Sequence, residues 1–551
     1  MSVKKHIILL EILFLLLIYA SGLYFRLLPR LEQDSHLLTF EADIWYRITM
    51  AQYVADHGHL PDHDIRYEAY GYVPFWYPPL GLYVFSALHQ ISGLDIPTVS
   101  SRVIPFLEAL APLSIYIFCR ILMGMGVAFL ATLFLALTPS FVFWTGISDP
   151  QSFILFMIPI ILLIWIKHAQ WSTDPQQHNG WRILRIFLLG FLLAVCFLTH
   201  LFFFLIVCLL IMVSLALFLE KIRSRKIWLD LMFVLLISQL ATCWWWGPKN
   251  LYWWWLMSIV TSSGLYPGAQ QIKNFGVVAA IVGGYFLLML FVRTIIRRKH
   301  PIHYAWVIIF WALIPFLETQ NENILLLINR LDLSWSTIVK PLEGFRFFCF
   351  LAQPLAVAVA LMSIHFLRLA QERMHRWIII SFISLIFILM LTDIHVGYDF
   401  KMRILNSGFN HSEIVAAEWF RENSKPDDRI IADYYRSQMF AGFSGGRALL
   451  GMAFPLRRVD YPYISQKNYS VAEDIFRIYT TDNPEEAVSL MKRYGATHLL
   501  VSSNMAITGN FITSQQQGFG IVFNYNVLQN RDYFETVYEE EGQVVILKRL
   551  R

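Results

Sequence analysis

The sequence predicts a polytopic α-helical membrane protein with about 11 to 13 transmembrane helices and a C-terminal soluble α/β domain. Of its 551 residues, 57% are hydrophobic and only 15% are charged, which is outside the range of soluble globular proteins. Apolar runs that approach the roughly 20 residues of a membrane span recur up to Leu391, after which the pattern changes. We therefore predict a transmembrane domain at 1–392, with an outer loop at 28–101, and an α/β domain at 393–551.

The apolar runs predict about eleven spans, several of them short. The first run has no small-residue cleavage site and continues through "YASGLYFRLL", which favours a retained span over a signal peptide. The runs begin near Ile7, Val103, Ile121, Phe153, Ile183, Leu201, Ile227, Phe275, Tyr304, Phe345 and Trp377.

Lys and Arg are concentrated at every second junction between the runs, as in "MSVKKH", "EKIRSRK", "RTIIRRKH" and "RLAQERMHR". Short loops rich in these residues face the cytoplasm. The N-terminus is therefore predicted to be cytoplasmic, and the outer loop and the C-terminal domain to be extracytoplasmic.

The C-terminal region has the helix and strand signals of an α/β domain. "HSEIVAAEWFRENSKPDD" is typical of a helix with a Pro-containing stop, and "RIIADYY" of a strand. "DNPEEAVSLMKRYGATHLLVS" has the signals of a helix that is followed by a strand. A capping residue, a proline and acidic residues mark the start of the helix, and basic residues and a glycine mark its end. "YFETVYEEEGQVVILKRL" predicts a closing hairpin.

Two acidic motifs are predicted on the outer face. Glu41 and Asp43 precede the segment "IWYRITMAQYVADHG", which we expect to lie amphipathically at the membrane interface, and Asp149 lies in "TGISDPQ". Carboxylates suit a hard cation such as Mg²⁺ or Mn²⁺, and hence a phosphate-bearing substrate. The alternatives are a solvated loop for the first motif and a helix N-cap for Asp149, and Asp149 can serve as cap and ligand together.

Several motifs resemble the catalytic subunit of oligosaccharyltransferase, in the C-type (GT-C) glycosyltransferase superfamily. "EADIWYR", "YVADHGHLP" and "WYPPLGLYVFSAL" resemble its first outer loop, and "GISDPQSF" is similar to its second acidic motif. "EGFRFFCFLAQPLAV" resembles a late span of the family. "AAEWFRENSKPDDRIIADYYRSQMFAGFSGGRALLG" resembles the stretch around its W-W-D-Y-G motif.

The resemblance implies roles for six residues. Asp43 and Asp149 would be metal ligands, and with Glu41 as an accessory acid they would form the catalytic cluster. Arg346 would contact the phosphate of a lipid-linked donor, as arginine forks do. Asp433 and Tyr434 would bind the acceptor.

This chain departs from the family pattern at two places. Ile431 and Ala432 replace the tryptophan pair of the acceptor motif, and Tyr435 replaces its glycine. The outer stretch 247–274, where the family has a glutamate, contains no acid, so a third metal ligand is missing or comes from Glu318, Glu322 or Glu343.

Other features have two readings each. "CWWWGPKNLYWWW" suits an aromatic belt or a sugar-stacking platform. His200 suits a substrate contact or a hairpin histidine. Glu11 and Glu108 lie within apolar runs. Each either has a function inside the membrane or lies near a span end, from which its carboxylate snorkels to water.

The function implied by the resemblance is transfer of a glycan from a polyprenyl-linked donor to a protein or glycan acceptor on the outer face. A transferase that uses a polyprenyl-phosphate monosaccharide and modifies a glycan or lipid is the alternative within the class. A transporter or non-catalytic scaffold is the alternative outside it. Membrane lipids are expected partners and nucleic acid is not.

Overall fold

The computed structural model describes residues 3–32, 42–63, 65, 75, 77–172, 179–200, 202–219, 225–246, 276–296, 304–319, 347–370, 372–406, 411–449, 471, 473–502, 525–540 and 543–550. The chain forms two compact units. The first comprises Met1–Pro29 and Ile104–Met402, and the second comprises Arg30–Val103 and Arg403–Arg551.

We number the helices in chain order. A π-helical segment, Val99–Val103, connects α4 to α5. The bounds are α1 Val3–Glu32, α2 Ala42–His57, α3 Leu80–Ser92, α4 Ile96–Thr98, α5 Ile104–Glu108, α6 Ala111–Leu122, α7 Met125–Ala136, α8 Pro139–Trp144, α9 Gln151–Ser172, α10 Asn179–Thr199, α11 Phe203–Leu219, α12 Arg225–Trp246, α13 Val277–Ile296, α14 Ala305–Thr319, α15 Phe348–Leu369, α16 Arg373–Asn406, α17 His411–Asn423, α18 Tyr434–Ser444, α19 Pro484–Arg493 and α20 Tyr525–Leu528.

The first unit is a bundle of apolar helices. Within the described ranges, eight helical stretches are long and apolar enough to cross a membrane, and α7, α11 and α14 are shorter apolar helices. These eleven correspond in order to the eleven predicted runs, and the predicted polytopic fold is confirmed. A bilayer offers no hydrogen-bond partners to the backbone, so N–H and C=O groups that cross it must pair within their own segment. An α-helix satisfies this condition.

Helix α15 is the central helix of the bundle and packs against α7, α13 and α14. Its first four turns are almost entirely buried and rich in alanine, so neighbouring backbones can come close. Gly283 of α13 allows one such close approach to α15, since a Cβ placed there would lie 3.0 Å from the Leu355 side chain.

Buried charges tie three helices together at the end that the sequence predicts to be cytoplasmic. Asp230 of α12 is fully buried, and its Oδ2 lies 2.9 Å from His168 Nε2 of α9 and accepts from Arg182 Nε of α10 at 3.0 Å. Glu11, near the same end of α1, accepts from Arg120 Nε at 2.7 Å and from the Tyr116 hydroxyl. Glu11 is therefore an ion-pair partner in the bundle.

A second interhelical contact lies where α13 begins. Asp393 of α16 accepts from the backbone N–H groups of Val277 (3.2 Å) and Val278 (3.0 Å). The carboxylate thereby serves two of the N–H groups that a helix leaves without intrahelical partners in its first turn.

The second unit contains a five-stranded mixed sheet. The strands are β1 Ile430–Ile431, β2 Ala448–Leu449, β3 His498–Ser502, β4 Phe534–Glu540 and β5 Val544–Arg549. Their order is β2-β1-β3-β5-β4, with β1 parallel to β2 and β3, and β5 antiparallel to β3 and β4. The predicted hairpin at the end of the chain is therefore confirmed.

The helix that follows Glu41 and Asp43 belongs to this same unit. Helix α2 packs against α18 and α3, and Trp45 and Ile48 of α2 are fully buried. Gly442 of α18 allows the close approach, because a Cβ there would lie 2.6 Å from Trp45 Cε3. The predicted helix is present, but its apolar residues face protein, which the amphipathic pattern alone does not distinguish from a membrane interface.

Candidate functional site

The turn before α9 presents Asp149 in a constrained backbone. Ser148 adopts a left-handed conformation (φ 57°) although it is not glycine. Asp149 follows it, and its Oδ1 accepts from the backbone N–H of Gln151 at 2.9 Å. The Asp149 side chain is buried, with 1% of its surface exposed. The N-cap reading of Asp149 is thus confirmed, and a buried carboxylate at this position is compatible with a further role.

Arg26 of α1 fixes the other arm of the same turn. This buried guanidinium donates from Nε to the Thr145 carbonyl oxygen at 2.6 Å, and it also donates to the Thr145 hydroxyl. A third bond runs from its Nη1 to the carbonyl of Gly22 at 2.7 Å. Since an ion in the bundle is costly, these bonds make Arg26 a fixed support for the turn that carries Asp149.

His200 approaches Asp149 from a second hairpin. It lies between α10 and α11, and its Nε2 is 3.5 Å from Asp149 Oδ1. The backbone N–H of Phe202 donates to His200 Nδ1 at 3.2 Å. Two hairpins therefore bring one acid and one imidazole together at the same end of the bundle.

A buried polar layer lies between α9 and α15. Gln151 Nε2 is 3.1 Å from Cys349 Sγ, and Gln353 Nε2 donates to the Leu155 carbonyl at 2.6 Å. Both glutamine side chains are fully buried. The layer links the helix that follows Asp149 to the helix that follows Arg346.

Asp433, the predicted acceptor-binding acid, is held in a buried ion network of the second unit. It is the N-cap of α18, with Oδ1 accepting from the Arg436 N–H at 2.8 Å and Oδ2 from Arg436 Nη1 at 2.6 Å. Arg436 Nε also donates to Glu413 Oε1 at 2.5 Å, and Ser502 Oγ donates to that oxygen.

The network sets the electrostatics around Asp433. Burial opposes the charge of Arg436, but Asp433 and Glu413 outweigh burial and raise the pKa of the guanidinium. Tyr479 donates to the Leu500 carbonyl at 2.8 Å, and its pKa is raised well above 10 by burial and by Asp433. The carboxylate is thus integrated into the core of its unit.

Several predicted site residues lie outside the described residues. These are Glu41, Arg346, Glu322, Glu343 and the side chains of Asp43 and Tyr434. Asp43 is described only as a residue in the first turn of α2. Glu318 is half-buried near the end of α14. The roles proposed for these residues stay predictions.

Of Asp43 and Asp149, the two predicted metal ligands, only Asp149 has a described side chain. In the described part of the chain, no three His, Cys, Asp or Glu side chains form a group that could hold a metal ion. Asp149 contributes a carboxylate, the donor type that Mg²⁺ and Mn²⁺ prefer, so this ligand fits the chemistry of the ion. The side chains of Asp43 and Glu41 lie outside the described residues.

The sequence reasoning did not identify Arg26 or the contact between Asp149 and His200. The sequence does contain an indication for Arg26, which is the single charge within the apolar stretch "YASGLYFRLL". An ionisable residue in a membrane span generally has a function or a partner. The Asp149–His200 contact joins two hairpins, and no local pattern predicts which hairpins are neighbours.

Comparison with known proteins supports this architecture. No protein-family model and no curated protein matches the sequence. The chain is similar to the oligosaccharyltransferase of Archaeoglobus fulgidus tethered to an acceptor peptide containing an NVT sequon, with a TM-score of 0.61, 14% identity, and coverage of 91% of this chain and 70% of that one. The oligosaccharyltransferase AglB of Archaeoglobus fulgidus, in complex with an inhibitory peptide and a dolichol-phosphate, gives a TM-score of 0.59 at 13% identity.

The chain is also similar to ArnT of Cupriavidus metallidurans bound to undecaprenyl phosphate. Here the TM-score is 0.58 at 12% identity, and the match covers 99% of this chain and 98% of that one. The chain therefore has an oligosaccharyltransferase-like GT-C fold. It is a multi-pass integral membrane protein by its fold and its apolar helices.

Proposed function

We propose that this protein is a GT-C glycosyltransferase that transfers a sugar from a polyprenyl-linked donor to an acceptor on the outer face of the membrane. The observation that carries the proposal is the buried Asp149 turn, which Arg26 and the Gln151 N–H hold in place within a GT-C fold. The fold is shared with proteins whose structures contain dolichol-phosphate or undecaprenyl phosphate, which supports a lipid phosphate donor.

In this proposal, Asp43 and Asp149 would hold a divalent cation, and Glu41 would act as an accessory acid. When bound, the cation would offset negative charge on the departing lipid phosphate. Arg346 would contact the same phosphate through its planar guanidinium. A carboxylate of the cluster would orient the acceptor or accept its proton.

A polyprenyl-phosphate monosaccharide as donor, with a glycan or lipid acceptor, is the second candidate. Two observations favour it over transfer to an Asn-x-Ser/Thr peptide. Both oxygens of Asp433 are engaged by Arg436, and Ile431 and Ala432 stand where the family's tryptophan pair would be. The match to ArnT also covers nearly the full length of both chains.

The test is transfer by purified protein in detergent or nanodiscs. Radiolabelled sugar is supplied either on undecaprenyl phosphate or, as an oligosaccharide, on undecaprenyl diphosphate. Each donor is paired with an Asn-x-Thr peptide or a lipid-extract acceptor. We expect transfer that falls at least 100-fold in Asp43→Asn and Asp149→Asn. Asp56→Asn is the matched control, because Asp56 is an exposed acid on the same helix as Asp43.

The outcomes separate the candidates. Transfer to the lipid extract but not to the peptide supports the monosaccharide reading. Efficient peptide glycosylation supports an oligosaccharyltransferase. Absence of transfer with every pair, or transfer that Asp149→Asn leaves intact, would contradict the proposed enzyme and favour a scaffold or transporter.

A further inference from the structure

His200 is the one described imidazole in contact with Asp149. Its side chain is buried, with 6% of its surface exposed, and it lies 3.5 Å from the carboxylate. The contact joins the α8–α9 turn to the α10–α11 turn, so it connects two helical hairpins. A histidine with a purely local hairpin role would have no need of this partner.

The surroundings of His200 define which nitrogen faces the acid. Because Nδ1 accepts from the Phe202 N–H, that nitrogen carries no proton, and the proton of the neutral ring is on Nε2. The Phe202 ring packs against the imidazole with centroids 4.7 Å apart. Phe202 in turn contacts Phe347 and Phe350 at 5.3 Å each. The imidazole is therefore packed in place, with its Nε2 at 3.5 Å from Asp149 Oδ1.

We infer that His200 is a positioning residue that holds the Asp149 carboxylate in the orientation used for transfer. This inference rests on the proposed function. Asp149 Oδ1 accepts from Gln151 N at 2.9 Å, and His200 Nε2 approaches the same oxygen from a different hairpin, at 3.5 Å. Two donors converging on one oxygen fix the plane of a carboxylate, and partners that orient a ligand commonly change metal affinity or activity 10- to 100-fold when they are lost.

Two amide substitutions separate this role from a local one. In His200→Gln, the side-chain amide nitrogen reaches the position of Nε2 and can still donate to Asp149. In His200→Asn, the shorter amide reaches only the position of Nδ1, where its oxygen can accept from the Phe202 N–H. A positioning role predicts that Gln retains function and Asn does not, whereas a local hairpin role predicts the reverse.

The experiment measures both variants in the full-length protein. One readout is Mn²⁺ binding, followed by the electron paramagnetic resonance signal of the free ion. The other is the split between kcat and donor KM in the transfer assay. We expect His200→Asn to weaken Mn²⁺ binding and lower kcat by about 10- to 100-fold with little change in KM, and His200→Gln to stay within about fivefold of wild type.

Wild-type behaviour of His200→Asn, or an equal loss in His200→Gln, overturns the inference. If His200→Asn does not fold, His200→Ser replaces it, because serine keeps an acceptor near Phe202 but does not reach Asp149. If Asp149→Asn abolishes transfer while His200→Asn does not, this inference alone is wrong. A wild-type protein that neither transfers sugar nor binds Mn²⁺ overturns the proposed function and this inference together.

Discussion

The contact between α2 and α18 gives a quantitative prediction about the helix that carries Asp43. A Cβ at Gly442 would lie 2.6 Å from Trp45 Cε3, 3.3 Å from Trp45 Cζ3 and 3.4 Å from Ile48 Cγ2. Non-bonded carbons prefer about 3.5 to 4.0 Å, so Gly442→Ala requires the indole to move by about 1 Å. Trp45 is fully buried and also packs against Phe443 at 5.1 Å, so little space exists for that movement.

The expected cost follows from two opposing effects. Overpacking a buried site costs about 1 to 3 kcal/mol, and replacing glycine by alanine within a helix returns up to about 1 kcal/mol. Since a 2.6 Å approach places this site in the upper part of the overpacking range, we expect Gly442→Ala to destabilise this contact by about 1 to 2 kcal/mol. Since Trp45 lies two residues after Asp43 in the first turns of α2, transfer should also slow.

Hydrogen exchange followed by mass spectrometry of peptides from α2 and α18 tests this directly. A loss of 1.4 kcal/mol corresponds to about tenfold faster exchange for segments that open together. Gly284→Ala is the matched control, because nothing lies within 4 Å of a Cβ at that helical glycine. Adding Trp45→Leu, which removes the clashing ring atoms, should reduce the incremental cost of Gly442→Ala. Unchanged exchange in Gly442→Ala, or a cost that is additive with Trp45→Leu, would refute the reasoning.

Three further predictions concern the second unit and the topology. Asp433→Ala removes the N-cap of α18 and one of the two carboxylates that face Arg436, while Glu413 stays paired with it, so we expect a loss of about 1 to 3 kcal/mol in stability, seen as a lower melting temperature; a fully stable variant that loses peptide binding would instead indicate an acceptor role. Burial lowers the pKa of His498 to about 4 from 6.5. The unfolded chain therefore takes up a proton first as the pH falls below 6.5, and stability should decrease by at most about 2 kcal/mol by pH 5, a dependence that His498→Leu should remove in melting curves. In a cysteine-free background, an impermeant thiol reagent should label a cysteine at Gly542 but not at Lys4 in intact cells, and the opposite pattern would reverse the predicted orientation.

The sequence was most informative where one physical constraint acts along a continuous stretch of chain. A bilayer requires long apolar helices, so the eleven predicted runs match, in order, the eleven apolar helical stretches found in the described residues. Capping chemistry is equally local. "DNPEEAVSLMKR" predicted a helix that in the structure has Asn483 as its N-cap, Pro484 in its first turn and Lys492 and Arg493 in its last. Such elements are predictable because the residues that define them are neighbours in sequence.

Contacts between distant parts of the chain were not predictable from these patterns. Arg26 and Thr145 are 119 positions apart, and Asp393 and Val277 are 116 positions apart. Each pair depends on which helices pack together, and hydrophobic periodicity gives only the face that is buried. The amphipathic pattern of α2 shows the same limit, since its apolar face could have met lipid or protein with equal energetic benefit.

The Asp433 region shows why a short motif defines a chemical possibility and not a role. An aspartate after a strand and before a helix can bind an acceptor or cap the helix, and both uses require a carboxylate at that position. The structure shows the capping use, in a network with Arg436, three residues later, and Glu413 from α17, and the acceptor role stays a prediction. Two carboxylates face one buried guanidinium, so loss of Arg436 would leave both acids buried without their counter-ion. An acceptor hydroxyl that bonded to Asp433 would share this carboxylate with the bonds that hold α18 in place, and this competition favours the proposal of a different acceptor.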